Sequence, residues 1–258
     1  MIEYSIIIDQ FLIFILILIR LASFLYVAPF FNTKGIPGRI KIGLAFFISM
    51  IVYAANPSLS IEYNSMLGYS ILVLREVLVG LILGALSLMS VQIIYFAGKI
   101  IDMDIGLSMA QLYDPTTRMQ TGIMGNFYYY LVMLILVISG LHRYLIGAIV
   151  ETFKVIPLGG AIFKASIFDI VLDFMSDYFI IGFRIALPVF AATLLLNCVL
   201  AILAKVSPQM NMFVVGMQLK IFVGIFVILV TISMLPSIAN FLQTEIKTIL
   251  AKLVKSMY

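Results

Sequence analysis

Six apolar stretches, at residues 11–31, 42–55, 70–97, 127–150, 179–204 and 212–241, constrain this chain more than any other feature. Crossing a hydrocarbon core of about 30 Å takes roughly 20 residues of helix, and most of the six are long enough. With 64% of its 258 residues hydrophobic and 11% charged, the chain lacks the polar surface of an ordinary soluble domain, in which about 25% of residues are charged. The expected fold class is an all-α integral membrane protein. The first stretch follows Glu3 and Asp9, without a basic n-region or a small-x-small cleavage site. It is therefore expected to stay attached rather than to be removed as a signal peptide.

The stretches are uneven. Residues 42–55, bounded by Lys41 and by Asn56-Pro57, are too few for a full span and predict half a hairpin or a re-entrant element. The last two are long, carry Pro188 and Pro236, and are joined by the short connector 205–211, a pattern that predicts a long kinked helical hairpin. Two polar connectors separate the others. Residues 98–126 contain Asp102, Asp104, Asp114, Pro115, Arg118 and four glycines, and predict a long irregular loop. Residues 151–178 end in Asp169, Asp173 and Asp177 at i, i+4 and i+8, the solvated stripe of an amphipathic helix rather than a calcium loop, whose ligands converge from a turn. If the stretches alternate across a bilayer, one side holds Lys34, Arg39, Lys41, Lys99, Arg118 and Lys205 and the other Arg143, Lys154, Lys164, Lys247, Lys252 and Lys255. Lysine and arginine then give no orientation.

Most chemistry is excluded by residue type. One cysteine, Cys198, and one histidine, His142, cannot build a His/Cys metal site or an internal disulfide. The net charge of +4, from 16 basic and 12 acidic residues, is spread without a basic block, which argues against nucleic acid. No GxSxG, HExxH, GxxxxGK[ST] or GxGxxG motif is present, so neither an enzyme nor a cofactor is expected. Leu112-Tyr113-Asp114 offers one half of an intramembrane aspartyl dyad, and its Gly-x-Gly-Asp partner is absent.

The informative residues are ionisable ones inside apolar stretches: Arg20, Arg75, Glu76, Arg184 and Lys220. Facing lipid unpaired, each would cost about 2.5 to 3.5 kcal/mol at a helix centre, so each needs a partner, a hydrated lumen or a place outside the bilayer. Arg75 and Glu76 point about 100° apart on a helix and are poorly placed to pair with each other. Glu76 shares a face with Gly80 and Gly84, and Lys220 is flanked by Gly216 and Gly224. Both charges thus lie on faces suited to close helix packing. Two uses remain open: satisfying neighbouring helices, or lining a hydrated path or subunit interface. The alternative of another class is a secondary transporter built around Arg20, Glu76, Arg184 and Lys220; transporters usually show matched broken-helix repeats, and the two halves of this chain are not obviously alike.

Ordered blocks along the chain carry a family resemblance. Arg20 with Ala28-Pro29-Phe30 and Gly35-Ile36-Pro37-Gly38-Arg39 resembles the amino-terminal signature of the FliR family of flagellar export-gate proteins. So do Gly98-Lys99-Ile100-Ile101-Asp102 leading into Gly106 to Pro115, then Ala186-Leu187-Pro188, Asn197, Pro208 to Gly216 and Leu219-Lys220-Ile221. The resemblance implies a non-enzymatic structural and gating subunit of the bacterial inner membrane and flagellar basal body. It would assemble with FliP, FliQ and an FlhB-like subunit into a helical hetero-oligomeric gate for unfolded flagellar proteins. It further implies a FliP-like part at 1–178 and a FliQ-like hairpin and tail at 179–258. Within the first part, the 98–126 loop would plug the closed pore with Gly106, Met109, Leu112, Tyr113, Asp114, Pro115 and Met119. Injectisome export proteins share this plan. Segments buried among such subunits need not match the bilayer, so membrane lipid would touch only part of the apolar surface.

Overall fold

The structure is a computed structural model that describes residues 2–33, 35–57, 59–61, 63, 65–108 and 122–258, with side chains from residue 8 onward. Among the described residues there is no strand, and the chain is an all-α integral membrane protein. The helices are α1 (Ile2–Val27), α2 (Gly38–Ala55), α3 (Met66–Ile105), α4 (Ile123–Ile138), α5 (Leu141–Val155), α6 (Ser166–Val206), α7 (Met212–Thr231) and α8 (Leu235–Ser256). A 3₁₀ turn, Ile232–Met234, joins the last two. Five segments are long and apolar enough to cross a membrane, Ile8–Val27, Gly38–Ala55, Met66–Ile105, Ser166–Val206 and Met212–Ser256, and the bent pair α4 and α5 makes a sixth if taken as one span.

Several boundaries differ from the hydropathy reading, each for a local reason. α2 starts at Gly38, after the extended Pro37 (φ −60°, ψ 144°), and takes in Arg39 and Lys41. Its 18 residues satisfy the length and hydropathy of a span, so the expected half-hairpin or re-entrant element gives way to a full helix. α3 runs past Ala97 to Ile105, and α4 begins at Ile123. Both ends of the expected 98–126 irregular loop are thus helical, including Asp102 and Asp104. The fourth stretch is two helices bent by 65°, because Gly140 takes a left-handed conformation (φ 77°) between them. The aspartate stripe belongs to α6, with Asp169, Asp173 and Asp177 all exposed. Pro188 lies inside α6 without ending it. Pro236 follows the 3₁₀ turn in the first turn of α8, where its missing N–H removes no ladder bond.

The chain divides into two compact units. The first comprises residues 1–90, 139–174 and 243–258, and the second 91–138 and 175–242, so α3, α6 and α8 each contribute to both. In the first unit, Leu16, Ile17, Leu21, Phe24 and Leu25 of α1 are buried, as are Val79 and Leu83 of α3, Leu145 and Ile149 of α5, and Leu250 and Leu253 of α8. Lys247 sits over the Tyr144 ring at 5.0 Å, and Ile149 and Thr152 share a small cavity with Leu250 and Val254. α5 and the end of α8 therefore run side by side in the same direction. The chain end is fixed by Ile162 N–H donating to Met257 O (3.0 Å) and Lys164 Nζ to Tyr258 O (2.6 Å). The second unit buries Ile94, Ala97, Ile101 and Ile105 of α3, Tyr128, Val132 and Leu136 of α4, Ala186 and Val189 of α6, and Ile228 of α7. Asn211 caps α7, its Oδ1 accepting from Phe213 N–H (3.2 Å) and Val214 N–H (3.4 Å).

Candidate functional site

The first unit is organised around Arg20, whose side chain is fully buried. Its apolar neighbours on α1 sort to the core by helical spacing, and Arg20 goes in with them because its donors find acceptors there. Nε and Nη2 donate to the two oxygens of Glu76, at 2.5 and 3.0 Å, a bidentate pair with both side chains at 0% exposure. Nη1 donates to Thr152 Oγ1 (3.2 Å) and Ile156 O (3.3 Å), and Nη2 reaches Ile156 O and Pro157 O at 3.4 and 3.5 Å. The Phe153 ring lies 4.3 Å below the guanidinium carbon. Glu76 is satisfied on its other side by Gly159 N–H, 2.7 Å from Oε1. A buried ion pair of this kind is tolerable only when its remaining donors and lone pairs are occupied, and here they are.

Arg75, next to Glu76 but exposed, donates from Nη1 to Gly159 O at 2.8 Å. The two adjacent residues of α3 thus hold both polar groups of one glycine, whose left-handed φ of 68° suits glycine alone. Gly80 and Gly84 continue the Glu76 face. A methyl group on Gly80 would come 2.5 Å from Arg20 O, and one on Gly84 3.0 Å from Phe24 O. Close backbone contact between α1 and α3 is what brings the carboxylate within reach of Arg20. His142 packs edge-on against Phe30, ring centroids 6.3 Å apart.

In the second unit a buried carboxylate, Asp102, lies where α3 meets α4. Gly98 and Gly125 touch through their backbones, a Cβ on Gly98 falling 2.6 Å from Gly125 N. One turn on, the buried Asp102 accepts from Met124 N–H (3.0 Å) and Gly125 N–H (3.2 Å), capping α4 from a neighbouring helix. Its carboxylate also fills the space a side chain on Gly122 would need. Asp102→Ala should leave those amides unsatisfied and loosen the start of α4 by about 0.5–2 kcal/mol. Hydrogen exchange at Met124 and Gly125 should then be faster, with the middle of α4 unchanged. Asp104 accepts from the Thr193 hydroxyl.

Lys220 is half-buried in a cleft of about 420 Å³ lined by Asp104, Ser108, Asn197, Leu200 and Gly216. Among the described residues it makes no hydrogen bond or ion pair. Gly216 faces Leu200 and Gly224 faces Ile105. Arg184 is exposed at a second cleft of about 290 Å³, with Tyr128, Pro188, Thr231 and Phe241. The five ionisable residues are therefore not gathered into one site. Arg75 and Glu76 hold Gly159 and Glu76 pairs with Arg20, whereas Arg184 and Lys220 lie at separate clefts. Gly106, with φ 89°, starts the segment after α3. Met109, Leu112, Tyr113, Asp114, Pro115 and Met119 lie outside the described residues. Thr152, Gly159 and the capping role of Asp102 carry no motif that sequence reasoning could have recognised. Gly98 and Gly125 offered only the faint signal of small residues near the helix ends.

The sequence as a whole has relatives. The model of the family described as bacterial export proteins, family 1, matches residues 11–246. The flagellar biosynthetic protein FliR of Bacillus subtilis (strain 168) is 34% identical over 235 residues, 89% of each chain. That of Escherichia coli (strain K12) is 27% identical over 240 residues, 93% of this chain and 92% of the other, and that of Aquifex aeolicus (strain VF5) is 29% identical over 232 residues, 88% of each. The match takes in the Arg20–Glu76 pair, the α3–α4 junction and both clefts alike, and the chain belongs to the FliR family of flagellar biosynthetic proteins within bacterial export proteins, family 1.

Proposed function

We propose that this chain is a structural and gating subunit of the flagellar export gate in the bacterial inner membrane. It would build, with FliP and FliQ subunits and an FlhB-like neighbour, the channel through which unfolded flagellar proteins cross. The observation that carries this reading, beyond family membership, is how little of its longest helices the chain covers by itself. In the most apolar segments of Ser166–Val206 and Met212–Ser256, 22% and 17% of residues are buried, against 56% for Met66–Ile105. Phe183, Leu195, Ile202, Phe213, Phe222 and Phe226 are all exposed. α3 is an interior helix of the subunit, and the α6–α7 hairpin is surface awaiting neighbours or lipid.

The segment after Gly106, running to residue 121, is proposed as the stopper of the closed channel, its apolar residues Met109, Leu112, Tyr113 and Met119 forming the seal. The glycine contact and the Asp102 cap at the α3–α4 junction support such a role by fixing the helix ends from which the segment departs. The mechanism is displacement of this segment, without bond chemistry. Purification of the full-length chain from flagellated cells under mild detergent tests the assembly. FliP and FliQ should accompany it in fixed ratio, with this chain at one copy per complex. A lone chain, or one that instead binds a small solute, would contradict the reading.

A further inference from the structure

Lys220 is turned into its own subunit. Gly216 and Gly224 lie one turn to either side of it on α7, and side chains added there would meet Leu200 of α6 and Ile105 of α3. Phe222 and Phe226 of the same helix are exposed instead. What balances the Lys220 ammonium must therefore come from within the cleft of about 420 Å³ that it lines. Asp104, in the last turn of α3, is the one acidic residue lining that cleft among the described residues. Both belong to the second unit. An anion entering the cleft would meet Asp104 and a cation would meet Lys220, so the two charges are matched to each other.

Asp104 can change partner without cost to the one it leaves. It accepts from the Thr193 hydroxyl, which carries one hydrogen and has a second acceptor, Phe190 O, at 3.0 Å. When Asp104 departs, the buried Thr193 turns to its own helix and no donor is stranded. The cleft walls can follow. Met103, Met212 and Met217 are flexible thioethers that repack easily. Gly106, left-handed at φ 89° just after α3, has open space where a side chain would stand. We propose that this cleft has a second, closed arrangement in which Lys220 pairs with Asp104 and Thr193 donates to Phe190 O. Ile105, seated against Gly224, is the fulcrum, and closure draws the last turn of α3 toward the start of α7. The device lies within one subunit and does not rest on the export role.

Met103 and Phe213 are both exposed at the cleft, on α3 and α7. Spin labels on Met103→Cys and Phe213→Cys report its width in a Cys198→Ser background, Cys198 being the single cysteine. Pulsed electron–electron double resonance on the full-length protein, with whatever subunits accompany it in mild detergent, should show a longer and a shorter distance. Lys220→Gln should lower the shorter population about tenfold relative to the longer, the scale of one charge-assisted hydrogen bond. Thr193→Val, which removes the competing donor, should raise it, an effect that loosened packing would not produce. Asp104→Lys combined with Lys220→Asp should restore the shorter population that either change alone removes. A single distance that Lys220→Gln leaves unchanged would overturn the proposal. So would a shorter population that falls in Thr193→Val, or one that the double reversal fails to recover at native helix content.

Discussion

Glu76→Leu and Arg20→Met should each destabilise the first unit by about 3–5 kcal/mol, because either change leaves the other charge buried without its counterion. That is a large fraction of a typical folding free energy of 5–15 kcal/mol, so both variants should accumulate poorly and fail to support swimming. The double variant should recover part of the loss, since replacing both members of a buried pair by apolar groups removes the stranded charge. Recovery should stop short of the native value, because the carbonyls of Ile156 and Pro157 and the N–H of Gly159 lose their partners at the same time. Unfolding in detergent followed by far-ultraviolet circular dichroism measures all three variants. Additive losses in the double variant would show that the two side chains do not act as a pair.

The strength of this effect reflects where the pair is placed. Arg20 and Glu76 join α1 to α3, and through Thr152, Ile156, Pro157 and Gly159 they reach the end of α5 and the segment after it. Arg75 holds the other side of Gly159. One cluster thus fixes three elements that are distant in sequence and have no other polar tie of comparable burial among the described residues. Glu76→Gln, which keeps the shape and removes the charge, should be milder than Glu76→Leu, as its amide oxygen can still accept from one arginine nitrogen.

Hydropathy made the helices and the membrane class legible, because a backbone surrounded by apolar side chains satisfies its hydrogen bonds only internally. It placed the ends less well. Gly98, Lys99 and Asp102 look like the start of a loop, yet α3 continues through them because each has a use on a packed helix. Gly98 touches Gly125, Lys99 lies over Tyr95 at 5.1 Å, and Asp102 caps α4. The bend at Gly140 was hidden inside a stretch that reads as one span, since a single glycine changes hydropathy little and direction a great deal. Arg20 and Glu76 could be recognised as residues in need of partners, but not as each other's partner. They are 56 positions apart, and nothing local to either one points to the other. Among the described residues Lys220 and Arg184 make no ion pair and lie at clefts, whereas the sequence marked them only as charges in need of a partner, a lumen or a place outside the bilayer.

Removing residues 106–121 and closing the gap with a short glycine-serine link should have the second large effect. α3 and α4 stay joined at Gly98, Gly125 and Asp102, so the deletion should leave both helices in place and spare assembly. A channel wide enough for an unfolded polypeptide passes hydrated ions freely when nothing fills it, so the loss should appear as leakage rather than as missing protein. Asp102→Ala in the full-length chain loosens only the start of α4 and should leak far less than the deletion.

The proposed stopper is tested most directly by ion conductance across vesicles containing the intact, purified complex, with this chain either full-length or lacking residues 106–121. Vesicles should be tight with the full-length chain and show sustained conductance with the shortened one, at equal subunit content. Vesicles that stay tight with the shortened chain in a complete complex would contradict the stopper.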